Sequence, residues 1–176
     1  MSEVILETDR LILRPHRIED FPDVAALWGD PEVVKYIGGV PSDPEASWAR
    51  LLRNMGHWQA MGFGYWAVTD RTDGRFLGEV GFSDFKRGIV PPLNGVPEAG
   101  WVLATHAHGR GIATEAVRSI HDWADRCMDW SETVCLFDPE HLVSQNVARK
   151  LGYEMREEAA VYRGDLTVVM VRGSGS

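Results

Sequence analysis

His106-Ala107-His108-Gly109-Arg110-Gly111-Ile112-Ala113-Thr114-Glu115-Ala116 is the stretch on which the fold turns. A strand-like run, Glu98 to Leu103, leads into it, and a helical pattern to about Met128 leads out. Two glycines at the start of a helix let a ligand approach bare backbone. The unpaired N–H groups of the first turn, backed by the helix dipole, favour negative charge there. The stretch therefore reads as an anion-binding loop that suits a phosphate-bearing cofactor. Gly-x-Gly alone is a weak sign, because glycines also make ordinary turns; the strand before it and the helix after it give it weight. Thr114 stands where the third glycine of a dinucleotide fingerprint would be, and the Lys-Ser/Thr ending of a nucleoside-triphosphate loop is absent, which argues against NAD and ATP.

At 176 residues the chain is long enough for one domain with a real core. Residues 1–172 are taken as that domain, and the tail 173–176, Gly-Ser-Gly-Ser, as a linker remnant. Lys and Arg number 18 against 26 Asp and Glu, a net charge of −8 with no basic block, which argues against nucleic acid as a partner. An acidic surface would attract cationic substrates such as amines. The two cysteines, Cys127 and Cys135, lack metal-ligand or redox spacing, and Cys127 falls on the apolar face of a helix. Met1-Ser2-Glu3-Val4 shows no signal peptide, and no apolar run approaches membrane-spanning length, so a cytoplasmic protein without a membrane partner is expected.

Outward from the loop, the following helix carries Ala113, Ala116, Val117, Ile120, Trp123, Ala124 and Cys127 at helical spacing. Further strands are expected at Leu11 to Leu13, Gly64 to Thr69, Phe76 to Phe82, Thr133 to Phe137, Ala159 to Tyr162 and Thr167 to Val171. Asp73-Gly74 marks a hairpin turn. Asp20 and Asp30-Pro31 open two helices, and Ser42 with Glu45 forms a capping box for a third, whose stripe Trp48, Leu51, Leu52, Met55 and Trp58 predicts core packing. A last helix runs from about Leu142 to Leu151, ending at Gly152. Residues 86–97 have no core pattern and read as a mobile lid or an insertion. This order predicts a mixed sheet with helices on both faces.

With the glycine loop and the segment Ser144-Gln145-Asn146-Val147-Ala148-Arg149-Lys150-Leu151-Gly152-Tyr153 both in view, the chain resembles a GNAT-superfamily acetyltransferase of the RimJ/RimL-type branch. The loop matches the Gln/Arg-x-x-Gly-x-Gly/Ala motif with His106 in the Gln/Arg position, and the second segment resembles a Ser-x-x-Val-x-x-Lys-Leu-Gly-Phe ending. Glu7 to Arg14 resembles the branch's opening strand and Asp30 to Val34 its second helix. The resemblance implies an α/β (α+β) fold with a mixed, mostly antiparallel twisted sheet of about six to seven strands flanked by about four helices. It implies acetyl-CoA as cosubstrate, no metal, and an amine acceptor, either an N-terminal peptide or a small amine, served by a monomer or homodimer. The pyrophosphate would lie on Gly109, Arg110, Gly111, Ile112, Ala113 and Thr114. The pantetheine arm would pair like an extra strand with Val102, Leu103 and Ala104, on a strand that relatives bulge or splay. His141, where many relatives have Asn, would donate to the pantetheine.

Acyl transfer needs a neutral amine, an oxyanion donor and a route for protons. Glu98, at the start of the strand that would carry the thioester, is the candidate base, working through a water. Ser144 is the candidate donor to the leaving sulfur, because the position of the usual Tyr is Ala148. Backbone N–H near Leu103 would serve the oxyanion. His106 and His108 lack a nearby third metal ligand. The alternative on the same fold is a catalytically silent acyl-CoA-binding or sensor domain.

Overall fold

The computed structural model describes residues 3–175; Met1, Ser2 and the last tail residue, Ser176, lie outside the described residues. Strands are β1 (Leu6–Glu7), β2 (Leu11–Pro15), β3 (Tyr65–Asp70), β4 (Phe76–Ser83), β5 (Ile89–Val90), β6 (Glu98–Leu103), β7 (Glu132–Phe137), β8 (Glu154–Met155), β9 (Ala160–Tyr162) and β10 (Asp165–Gly173). Helices are α1 (Phe21–Gly29), α2 (Pro31–Val34), α3 (Pro44–Met61), α4 (Ile112–Cys127) and α5 (Leu142–Lys150). The mixed α/β class holds, with ten strands and five helices among the described residues rather than six to seven and about four. The extra strands β1, β5 and β8 are two residues long, too short to show an alternating period.

The sheet runs β1-β2-β3-β4-β6-β7-β10-β9-β5, with β8 also on β10. Among the described residues every pairing is antiparallel except β6 with β7. One face is covered by α4 and α5 around Trp66, Phe82, Ile120 and Trp123; the other by α1, α2 and α3 around Leu27, Val34, Leu51 and Val102. A third cluster, Ile89, Val134, Ala160 and Val169, seals the β5–β9–β10 end. Residues 86–97 are therefore not patternless: Ile89 is buried, and β5 pairs with β9.

Local chemistry sets several boundaries differently from the sequence pattern. The cap of α3 is Asp43, not Ser42; its carboxylate accepts from Ala46 N at 2.7 Å, and Pro44 takes the first helical position. The inward face of α3 carries Ser47, Leu51 and Asn54, while Trp48 and Leu52 are exposed. Asp20 precedes α1 but spends its carboxylate on Arg14, at 2.7 and 2.8 Å, and on Arg17 N. Cys127, expected in the core, is exposed at the last residue of α4; Cys135 is buried. Gly173 still belongs to β10, opposite Glu132, and Ser174 N donates to Ser131 O.

Candidate active site

The chain leaves β6 through a 3-10 turn, Thr105–Ala107, and reaches Gly109 and Gly111, both left-handed, with φ of +71° and +73°. Ala107 and Ile112, each 1% exposed, pin the two ends of the loop into the core. No side chain caps α4 at Gly111, and the N–H groups of Ile112, Ala113 and Thr114 make no hydrogen bond among the described residues. Helix bonding starts with Glu115 N to Gly111 O. A Cβ at Gly109 would meet nothing within 4 Å, so the backbone there faces open space. This is a nest of unpaired donors at the positive end of a sixteen-residue helix.

Two side chains shape the loop. His108 Nε2 lies 2.8 Å from Leu103 O and ties it to β6. Arg10 Nη1 donates to Arg110 O at 2.8 Å, while its Nε and backbone N bind Glu115. Glu115 also accepts from Thr8 Oγ1, so its carboxylate points to the opening strands and away from the anion nest. Burial would raise the Glu115 carboxyl, but the Thr8 and Arg10 donors outweigh it and hold it below its usual range. The Arg110 side chain is exposed and makes no hydrogen bond among the described residues. His106 is exposed too, and among the described residues no group of three or more His, Cys, Asp or Glu could hold a metal ion.

Between β6 and β7 the ladder has one register pair, Glu98 with Val134, at the start of β6. Beyond it the two strands run unpaired, and the rings of Trp101 and Phe137 stand 5.6 Å apart across the seam. Ala104 N donates to Leu77 O, so by antiparallel alternation Leu103 and Trp101 turn their N–H groups away from β4, toward the opened side. Of the three predicted pantetheine partners, Leu103 has this orientation. Val102 and Ala104 bond toward β4, and Trp101, which the sequence pattern did not single out, shares the orientation of Leu103.

Ser144 and His141 meet at the start of α5. Ser144 Oγ is 3.1 Å from His141 Nε2, and the imidazole stacks on Tyr36 at 4.8 Å. Burial, opposed by Asp138 and reinforced by His108, keeps the ring below its ordinary value. A neutral His141 can donate to the Ser144 oxygen while the Ser hydroxyl donates onward.

Glu98, at the other end of β6, is 7% exposed, and Arg87 grips both its oxygens at 2.6 and 2.9 Å. Arg87 also reaches Tyr162 OH and lies 4.5 Å over the Phe85 ring. Tyr65 OH rests against Gly100, two residues along from Glu98; a Cβ at Gly100 would collide with it. Burial and the facing carboxylates of Glu98 and Glu79 push the Tyr65 phenol up, so it remains a donor. A cavity of ≈ 380 Å³ opens here, lined by Phe85, Arg87, Leu93, Val96 and Glu98 among others.

Beneath this end lies a buried polar network that the sequence pattern missed. Glu79 accepts from Trp28 Nε1 at 2.8 Å and Asn54 Nδ2 at 3.4 Å, and pairs with His16 Nε2 at 2.9 Å. Burial alone would raise the Glu79 carboxyl; the His16 and Trp28 contacts outweigh it and bring it below the usual range. Arg50 and Arg53 on α3 complete the surroundings, over Trp28 and Phe85 respectively. The one sign available in sequence was the polar run Arg50, Arg53, Asn54 along a helix read as apolar.

Residues 10–154 match the family model described as the acetyltransferase (GNAT) domain. The chain is 32% identical over 155 residues to YkkB of Bacillus subtilis (strain 168), covering 84% of this chain and 83% of that protein. Among solved structures, a GnaT-family acetyltransferase from Bordetella pertussis superposes with TM-score 0.84 at 28% identity, over 97% of this chain and 99% of that one. The ribosomal-protein acetyltransferase RimL, in complex with coenzyme A, shares the fold at TM-score 0.77 and 16% identity, over 97% of this chain and 98% of that one.

Proposed function

This chain belongs to the GNAT acetyltransferase family, and from that premise we propose that it moves an acetyl group from acetyl-CoA to a primary amine by direct attack. The observation that carries this reading is the unpaired β6–β7 seam running toward an uncapped, doubly glycine start of α4. The nest at Gly109 to Thr114 suits a pyrophosphate, and the N–H groups of Trp101 and Leu103 suit an extended pantetheine arm. That RimL, which shares the fold, forms a complex with coenzyme A supports coenzyme A as the ligand.

Trp101 N–H, facing the seam two residues before Leu103 and three from Glu98, serves the carbonyl oxygen as it gains charge. The amine nitrogen forms a bond to the acyl carbon as the carbon–sulfur bond breaks. Glu98 takes the amine proton through a water, using lone pairs that Arg87 leaves free. Ser144 gives its proton to the departing sulfur and draws another through His141, 3.1 Å away, as the neutral ring takes up a proton from solvent at its other nitrogen. Because the amine attacks directly, no acyl-enzyme forms and no Cys nucleophile beside a base is needed.

Calorimetric titration with acetyl-CoA, together with thiol release over a panel of amines, tests the proposal. Binding with turnover is the expected result. Tight binding without turnover of any amine would instead favour the silent acyl-CoA sensor, and absence of binding would defeat both.

A further inference from the structure

At the end of β6 far from the glycine loop, the charges do not cancel. Arg87 is matched by Glu98, and Lys86 by Asp84 at 2.6 Å. Glu79 is held by His16, Trp28 and Asn54. Arg50 and Arg53, one helical turn apart on α3 and so on one flank, have only the field of the Glu79 carboxylate to offset their two charges. Among the described residues neither makes an ion pair or a hydrogen bond. Each guanidinium instead lies on an aromatic ring, Arg50 at 3.5 Å over Trp28 and Arg53 at 5.1 Å over Phe85. Arg50 Nε is shut off from solvent without an acceptor. A buried donor left unpaired is costly and calls for an acceptor from elsewhere.

These arginines cannot be serving the coenzyme's phosphates. Arg53 lies over Phe85, two residues past Ser83, whose register partner is Glu98, and the glycine loop lies beyond the opposite end of β6, about 17 Å along the strand at ~3.3 Å per residue. Arg50 feels the charges of Glu79, Arg53 and Arg87, and Arg53 that of Tyr65, so the group is gathered at one place. Guanidinium groups fixed flat on aromatic rings leave their edges free for a planar anion.

We propose that the acceptor is a primary amine bearing a carboxylate, the carboxylate docking on the edges of Arg50 and Arg53 while the amine is offered to the seam beside Tyr65 and Gly100. This rests on the acetyl-transfer reading and narrows its substrate class. It also reverses the expectation drawn from the net charge of −8, because the local field of the pocket, not the whole surface, meets the ligand. The carboxylate could belong to a free amino acid or to an acidic residue near a peptide N-terminus.

Matched pairs decide it. Thiol release is measured for alanine against ethylamine, phenylalanine against phenethylamine, and spermidine as a cation; Asp-Ala against Lys-Ala amides separates peptide from amino-acid sources. The carboxylated member of each pair is expected to show at least a tenfold higher kcat/KM. Arg53→Gln, at an exposed position, should raise the acceptor KM about tenfold and leave the acetyl-CoA KM within twofold; Arg50→Gln should do the same. Calorimetric binding of N-acetylglutamate to the coenzyme A-loaded protein gives a readout free of turnover, expected in the wild type and lost in Arg53→Gln. Equal or better use of the decarboxylated amines or spermidine, or no binding of N-acetylglutamate, overturns the inference and leaves acetyl transfer standing. Binding of N-acetylglutamate without turnover of any amine removes acetyl transfer and leaves the anion site.

Discussion

Arg87 holds Glu98 by both carboxylate oxygens, Nε to Oε2 at 2.6 Å and Nη2 to Oε1 at 2.9 Å. The pair makes two roles for Glu98 separable. As a base it must govern the acid limb of the pH–rate profile; as an anchor it need only hold Arg87. Glu98→Gln is predicted to abolish or displace that limb and lower kcat, on the order of 10²-fold for a lost general base. Arg87→Gln should keep a limb, because the carboxylate survives. A Glu98→Gln profile with its acid limb in place would remove the base assignment.

Ser144 and His141 are predicted to act as one unit. Ser144→Ala should reduce kcat at least tenfold and weaken acetyl-CoA binding less than threefold, because protonating the sulfur matters in the transition state rather than in binding. His141→Ala in the Ser144→Ala background should add little to the loss in kcat. Full additivity in that double-mutant cycle would break the relay.

The glycine loop is predicted to fail by two routes. Gly111→Ala forces a side chain into a φ of +73°, a strain of about 1 kcal/mol or more. Gly109→Ala carries the same strain at φ +71° and also adds a methyl in open space where the anion would sit. Both should weaken coenzyme A binding tenfold or more by calorimetry. Gly111→Ala should also lower the melting temperature more than Gly56→Ala, a change in the middle of α3 with room around it.

His121 is predicted to make stability depend on pH above the carboxylate range. Its ring is 3% exposed between Val117 O and Tyr153 OH, and burial pushes its pKa down to about 4. The folded value lies below the unfolded one, so the unfolded chain binds the extra proton between pH ~6.5 and ~4. Stability is therefore complete above that window and falls as pH drops through it. Urea midpoints at pH 7.5 and 5.0 check this: His121→Gln should lose less on acidification than the wild type. An equal loss in both proteins would assign the effect to other groups.

What could be read in advance was what leaves a periodic trace. The apolar stripe of α4, the boundaries of β6 and the loop between them follow from spacing alone. β5 and β8 left no trace, because two residues cannot show a period and their pairing with β9 and β10 is set by distant chain. The parting of β6 from β7 is likewise a relation between strands rather than a property of either sequence. The resemblance points to Ser144 and His141, and the place on β6 points to Glu98, but the Ser144–His141 contact and the grip of Arg87 on Glu98 follow only from geometry. Leu51, Met55 and Trp58 of the expected α3 stripe pack inward, while Asn54 joins that face because a carboxylate, Glu79, lies inside and needs donors.

Arg10 joins the first strands to the anion loop across 100 residues of sequence, through Arg110 O and Glu115. Beside the local anchors at Ala107, His108 and Ile112, the loop is thus held by a contact whose formation requires the earliest part of the chain to close onto the middle. On the proposed reading of the loop as the coenzyme's anion site, detaching the N-terminal segment removes one of the contacts that shape it and weakens its hold on the coenzyme. Coenzyme affinity is in this sense a gauge of whether the N-terminal edge of the sheet is docked.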